Sequence, residues 1–178
     1  MKTRIAIDVD EVLRDFVGQI QNLIQQETGI QTERPKQYYY DTLDETGVSF
    51  RKKIWGTGEW AEPVFVGAPV KPKAKTGYHM FCDDPQFEVY IVSSQKKGTE
   101  LHTDKWLLKN GFDRHVRNIY TSKKLEAPCQ ILIDDKIENV QDYLDEARMG
   151  VVMDAPHNQH EQLPYRVFDL IEAYNLLK

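Results

Sequence analysis

Four short apolar runs in this chain each lead into a small cluster of polar residues, and that arrangement constrains the fold more than any other feature. Thr3 to Val9 carries the first cluster, Asp8-Val9-Asp10. Phe87 to Val92 ends at Ser93-Ser94, Val116 to Tyr120 at Thr121-Ser122-Lys123-Lys124, and Gln130 to Ile133 at Asp134-Asp135. Short runs of this length, rich in Ile, Val, Phe and Tyr, suit buried strands. A further strand is expected over Gly150 to Met153.

The segments between the runs repeat with helical spacing. Val12, Leu13, Phe16, Val17, Ile20, Leu23 and Ile24 mark a helix from Val12 to Gln26, with Gly29 placed to end it. Further helices are expected over Thr99 to Lys109, closed by Asn110-Gly111, over Ile137 to Ala147, and over Val167 to Leu177. Strands that alternate with helices imply a parallel sheet covered on both faces. The expected fold class is therefore α/β, a Rossmann-like doubly wound parallel sheet.

Residues 29–75 break the alternation. They hold Tyr38-Tyr39-Tyr40, Trp55, Trp60 and Phe65 together with several prolines and glycines. A short helix is expected from Ser49 to Trp55, and Pro63 to Pro72 reads as a connector. With Pro72, Gly77 and Pro85 present, any helix between Ala68 and Pro85 would have to be short. The chain thus divides into a core of residues 1–28 and 76–178 and a small, mostly helical cap, 29–75, inserted after the first helix. At 178 residues it can bury one full-sized core.

In a doubly wound sheet the carboxyl ends of the strands share one rim, where ligands bind. The four polar clusters converge there. Asp8 and Asp10, two apart on an extended segment, face the same side. Two such carboxylates repel unless a cation lies between them, and Asp134 with Asp135 adds two more. A hard, oxygen-seeking ion, Mg²⁺, fits that set, with Asp8, Asp10, Asp134 and Asp135 as candidate ligands. A carboxylate can attack phosphorus and carry the phosphoryl group. A second acid two residues on can protonate the leaving oxygen and then take a proton from water. Ser93 and Ser94 can donate to a phosphate, and Lys124 or Lys123 can balance its charge.

In the order of these motifs the chain resembles the haloacid dehalogenase superfamily. The resemblance implies a Rossmann-like core, a Mg²⁺ cofactor, Asp8 as nucleophile and Asp10 as general acid/base. It further implies Ser93 as the phosphate-binding hydroxyl, Lys124 as the stabilising lysine, and Asp134 and Asp135 at the metal. An acid at position 10 fits the phosphatases of that superfamily rather than the dehalogenases. More narrowly, Asp8-Val-Asp-Glu-Val-Leu-Arg-Asp-Phe16, Ile91-Val-Ser-Ser94 and Ile131-Leu-Ile-Asp-Asp-Lys136 resemble the 5'(3')-deoxyribonucleotidases. That likeness implies a phosphoric monoester hydrolase acting on deoxynucleoside monophosphates, with Phe16 beside the base and cap aromatics, Trp55 and Trp60 among them, completing the slot. One residue departs from the pattern: Glu11 stands where that family has Gly. The alternative reading is a phosphatase of the same superfamily acting on a nucleic-acid 3'-phosphate end or a non-nucleotide metabolite.

Charge and composition bound the partners. A net charge of −5 argues against bulk nucleic-acid binding. No stretch approaches the roughly 20 apolar residues of a membrane span. Cys82 and Cys129 form no metal-ligand pattern and read as reduced thiols of a cytoplasmic protein. The five histidines show no motif and read as surface or packing residues. The expected partner is a small phosphomonoester, and the expected state a monomer or homodimer.

Overall fold

The computed structural model describes residues 2–29, 31–33, 50–55, 58–95 and 97–178. Its centre is a six-stranded, all-parallel sheet in the order β3-β2-β1-β4-β5-β6. The strands are β1 (Thr3–Ile7), β2 (Phe87–Ser93), β3 (Asn118–Tyr120), β4 (Ile131–Asp134), β5 (Met149–Met153) and β6 (Arg166–Val167). The helices are α1 (Phe16–Thr28), α2 (Phe50–Trp55), α3 (Ala61–Phe65), α4 (Ala74–Asp83), α5 (Glu100–Asn110), α6 (Ile137–Asp145) and α7 (Leu170–Leu177). The expected doubly wound α/β class is what the chain adopts.

Strand alternation divides the core between the two faces. Ile5, Ile7, Val89, Ile91, Ile131 and Ile133 point to one side, where they pack with Tyr78 and Phe81 of α4, Trp106 of α5 and Ala173 of α7. Ala6, Tyr90, Val92 and Leu132 point to the other, against Tyr143 of α6. Helices cover both faces, and the central strands read as apolar runs apart from the Arg4–Glu88 ion pair near their starts.

Three helical expectations are corrected. α1 starts at Phe16, not Val12, because residues 10–14 close a tight turn in which the Glu11 N–H donates to the Arg14 carbonyl and both Leu13 and Arg14 donate to that of Val9. Val12 and Leu13 are buried, but in the main core. The Asp15 carboxylate caps the helix through the Gly18 N–H, and Gly29, at φ 73°, ends it as expected. α4 runs for ten residues where a short helix was expected. Gly77 does not break it. A Cβ there would stand 2.4 Å from the Leu170 Cβ, so the glycine admits α7 at close range. The last expected helix is preceded by β6 and begins at Leu170, where the Asp169 side chain accepts from the N–H groups of Ile171 and Glu172.

Within 29–75, α3 occupies the first part of the expected connector. Pro63 sits in its first turn, where the missing N–H costs nothing. Ile54, Trp60, Ala61, Val64 and Phe65 pack on Phe16, Ile20 and Ile24 of α1. The chain then returns to the core beside the first turn, with the Asp15 N–H donating to the Pro69 carbonyl and the Lys71 N–H to that of Leu13. The Tyr38 to Tyr40 run lies outside the described residues.

Candidate active site

The chain goes from β1 outward to β2 and β3, then returns across β1 to place β4 on its other side. The reversal makes the carboxyl end of β1 a topological switch point, where a doubly wound sheet opens a crevice. Asp8 follows β1 there, its N–H donating 3.0 Å to the Ile133 carbonyl of β4. Ser93 ends β2 on one flank, and Asp134 ends β4 on the other, followed directly by Asp135.

Asp8, Asp134 and Asp135 are all buried, and each offers an oxygen within 4.8 Å of the others. Lys124 is buried among them, its ammonium 2.7 Å from Asp8 Oδ1 and 2.6 Å from Asp134 Oδ2. It is carried there by a single 3-10 turn, Lys124–Glu126, whose backbone is pinned by the Tyr143 hydroxyl donating to the Lys124 carbonyl. Asp134 also accepts from the Lys136 N–H and the Asn139 amide, both at 2.9 Å. Asp135 Oδ2 lies 2.9 Å from His157 Nε2.

Burial sets the electrostatics. It pushes Asp8 up to about 8, opposed by Lys124 and helped by Asp134, Asp135 and Asp10. It pushes Asp135 up to about 6 against the contact with His157. Burial would pull Lys124 down, but the Asp134 and Asp8 carboxylates outweigh it and hold the ammonium above its usual range. Burial likewise opposes a charge on His157, and its contact with Asp135 more than offsets that, raising it.

Once all three buried carboxylates ionise, they outnumber the one lysine that stands among them in a low-dielectric pocket. Asp135 Oδ1 is buried with no hydrogen-bond partner among the described residues. A hard divalent cation would satisfy that oxygen and the charge together, so Asp8, Asp134 and Asp135 fit Mg²⁺.

The Asp10 carboxylate is not part of that cluster. Its Oδ1 accepts from Arg14 Nε and its Oδ2 from the Gln95 amide at 3.2 Å. Ser93 is buried beside it, and its hydroxyl accepts from the same amide at 2.9 Å. The Ser94 hydroxyl is exposed and donates to the Thr121 carbonyl, away from the acids. Lys123 is exposed and faces Glu126, which singles out Lys124 of the two lysines. Phe16 and Trp60 are buried in the apolar cluster that joins α1 to α2 and α3, with Phe16 5.3 Å from Phe65 between ring centroids. Trp55 is only partly buried against that cluster.

Glu11 adopts φ 59°, the conformation in which glycine is at ease, so the turn is kept without the glycine. Its side chain is buried and turns towards α1. Oε1 accepts from the Val17 N–H at 2.8 Å, and Oε2 lies 3.4 Å from Lys71 Nζ.

Sequence reasoning missed Arg14, Gln95 and His157. Arg14 is fully buried, donates to the Phe65 carbonyl at 3.0 Å and to Thr103 at 3.2 Å, and lies over the rings of Phe16, Phe65 and Trp106. A charged residue in the middle of an apolar helical pattern was the available signal. His157 corrects the expectation that the histidines are surface or packing residues. It follows β5, and no motif in the sequence ties it to Asp135.

Comparison with known proteins agrees with this fold. The family model described as "5' nucleotidase, deoxy (Pyrimidine), cytosolic type C protein" matches residues 2–178. No curated protein sequence matches. Among solved structures, L-2-haloacid dehalogenase from Xanthobacter autotrophicus superposes with a TM-score of 0.69 at 9% identity, over 99% of this chain and 98% of that one. The HAD hydrolase YfnB from Bacillus subtilis, bound to magnesium, gives 0.66 at 14% identity over 99% of both chains. A haloacid dehalogenase-like hydrolase from Streptococcus pneumoniae gives 0.65 at 13% identity, again over 99% of both.

Proposed function

The chain belongs to the deoxy (pyrimidine) 5'-nucleotidase family of cytosolic type C, within the haloacid dehalogenase-like hydrolases, and we propose that it is a Mg²⁺-dependent phosphatase of deoxynucleoside monophosphates working through an aspartyl-phosphate on Asp8. The observation that carries this reading is the placement of Asp8 at the switch point, 2.7 Å from the Lys124 ammonium and grouped with Asp134 and Asp135.

Asp8 is the nucleophile. Its oxygen bonds to phosphorus as the bond to the leaving oxygen breaks. Asp10 gives its proton to that oxygen, then takes one from the water that releases phosphate from Asp8. The Ser93 hydroxyl and Lys124 hold the phosphoryl oxygens and balance charge that builds on them. Asp8, Asp134 and Asp135 would hold the cation, which would supply charge neutralisation to the phosphoryl group. The magnesium in the Bacillus subtilis neighbour supports this cofactor.

Residues 29–75 are read as a cap over a core of 1–28 and 76–178, closing on the rim to exclude water. Trp55, Trp60 and Phe16 are read as the aromatics of the base slot, and the partial exposure of Trp55 at the edge of its apolar cluster supports that role for it. Free thiols at Cys82 and Cys129 suit a reducing cytoplasm.

A phosphate-release screen tests the reading. It compares dUMP and dTMP, sugar phosphates and a 3'-phosphorylated oligonucleotide, with and without Mg²⁺. Mg²⁺-dependent release is expected, greatest from the free nucleotides. Release mainly from the oligonucleotide would replace the nucleotide assignment, and no release from any substrate would refute the phosphatase. Asp8→Asn should leave the fold intact and remove nearly all turnover, so a variant retaining more than about a tenth of the activity would exclude Asp8 as the nucleophile.

A further inference from the structure

Asp10 is gripped on both oxygens, and the two grips differ in kind. Oδ1 accepts from Arg14 Nε, and a guanidinium stays charged at any working pH. The cationic guanidinium draws the carboxylate charge to Oδ1, which leaves Oδ2 as the oxygen for the proton that Asp10 exchanges, with a second lone pair free to accept from a neutral donor. The group against Oδ2 is Gln95, whose Nε2 donates to it at 3.2 Å and to Ser93 Oγ at 2.9 Å. The Thr99 hydroxyl donates to Gln95 Oε1 at 3.2 Å and fixes which way the amide faces. A carboxylate only accepts, so the nitrogen must be the end on Asp10. One neutral amide thus ties the acid/base oxygen to the phosphate-binding hydroxyl.

We propose that Gln95 is a positioning residue that holds Oδ2 of Asp10 in register with Ser93, so that this oxygen faces the scissile bond. The inference rests on the phosphatase reading above. In the first step the bond between phosphorus and the leaving oxygen breaks, the bond to Asp8 forms, and the Oδ2 proton passes to the leaving oxygen. In the second step the water oxygen bonds to phosphorus, the bond to Asp8 breaks, and a water proton returns to Oδ2. Gln95 exchanges no proton in either step. It sets the direction from which Oδ2 acts, and a misplaced acid loses much of its effect.

Leaving groups separate this role from structural support. A nucleoside alkoxide needs a proton as it departs, whereas p-nitrophenolate departs with little help. In Gln95→Ala, kcat/KM for dTMP should fall by about tenfold or more, while that for p-nitrophenyl phosphate should stay within about threefold. Gln95→Glu, which sets a carboxylate against Oδ2, should lose more on dTMP than Gln95→Ala does. Gln95 is half-buried, and a thermal melt checks that both variants fold. Equal losses on the two substrates would overturn the proposal, because damage to the site as a whole lowers both. So would unchanged values, or a raised KM at constant kcat, which would make Gln95 a substrate contact. A wild type that turns over neither substrate would bring down the phosphatase reading together with this inference, whereas active wild type with unaltered variants would bring down the inference alone.

Discussion

The buried ammonium of Lys124 stands 2.7 Å from Asp8 Oδ1, and both side chains are almost wholly removed from water. A pair like this is costly to break, because removing one partner strands the other. Lys124→Met should therefore lower stability by about 3 kcal/mol in urea unfolding. Turnover should fall by roughly a hundredfold or more as the charge facing the phosphoryl group is lost. Lys123→Met should change neither, since Lys123 is exposed. A stable or active Lys124→Met would show that Asp8 does not depend on this contact.

Metal binding should release protons. Burial holds Asp8 near 8 and Asp135 near 6 in the metal-free protein, so protons compete with the cation for those oxygens. Affinity for Mg²⁺ should rise from pH 6 to pH 8, and the heat of binding at pH 7 should vary with the ionisation enthalpy of the buffer. Asp135→Asn should weaken Mg²⁺ binding by about tenfold or more. Titration calorimetry reads all three, and a buffer-independent heat would rule out the coupling. Removal of the metal by a chelator should lower the melting temperature, since the cation offsets repulsion among three buried acids.

His115 should make the fold sensitive to mild acid. Its Nδ1 meets the Tyr78 hydroxyl at 3.0 Å, and burial lowers its pKa below the usual 6.5. Below about 6.5 the unfolded chain takes up a proton that the folded one refuses. The stability contributed by neutral His115 is thus present above pH 6.5 and lost as pH falls through the folded value. His157 acts with the opposite sign, because its folded value is raised. Melting curves between pH 5 and pH 7 should be steeper for wild type than for His115→Gln. Parallel slopes would remove His115 as the cause.

The sheet and the four polar clusters were legible because each depends on local pattern. A fully buried strand is an uninterrupted apolar run, and its end is marked by the first polar residue. What the sequence hid depends on packing between distant segments. Gly77 read as a helix breaker, yet its missing side chain is what lets Leu170 approach. Val12 and Leu13 carried the spacing of a helix, yet a turn buries them equally well. Phe16 and Trp60, expected at the base slot, also pack in the apolar cluster that joins α1 to α2 and α3, because the same rings that suit stacking also suit a core. Gln95 and His157 act through partners far away in the chain, and neither belongs to a pattern that sequence alone displays.

Glu11 holds a left-handed backbone and a buried carboxylate at once, so its two effects on stability oppose each other. The φ of 59° costs about 1 kcal/mol relative to glycine. The carboxylate offsets it by accepting from the Val17 N–H at the start of α1 and by lying near Lys71. Glu11→Ala keeps the strained backbone and loses the acceptor, and should be destabilised by about 1–3 kcal/mol. Glu11→Gly loses the same acceptor but relieves the backbone, and should be more stable than Glu11→Ala by about 1 kcal/mol. Urea unfolding ranks the three proteins. If the glycine variant is no more stable than the alanine variant, the turn carries no backbone cost. Because the Glu11 oxygens are taken up by the Val17 N–H and Lys71, and reach Asp135 and His157 only through charge, Glu11→Gly should keep kcat within about threefold of wild type. On this account the departure from the family pattern changes how the turn after Asp8 is held, while the chemistry it presents stays the same.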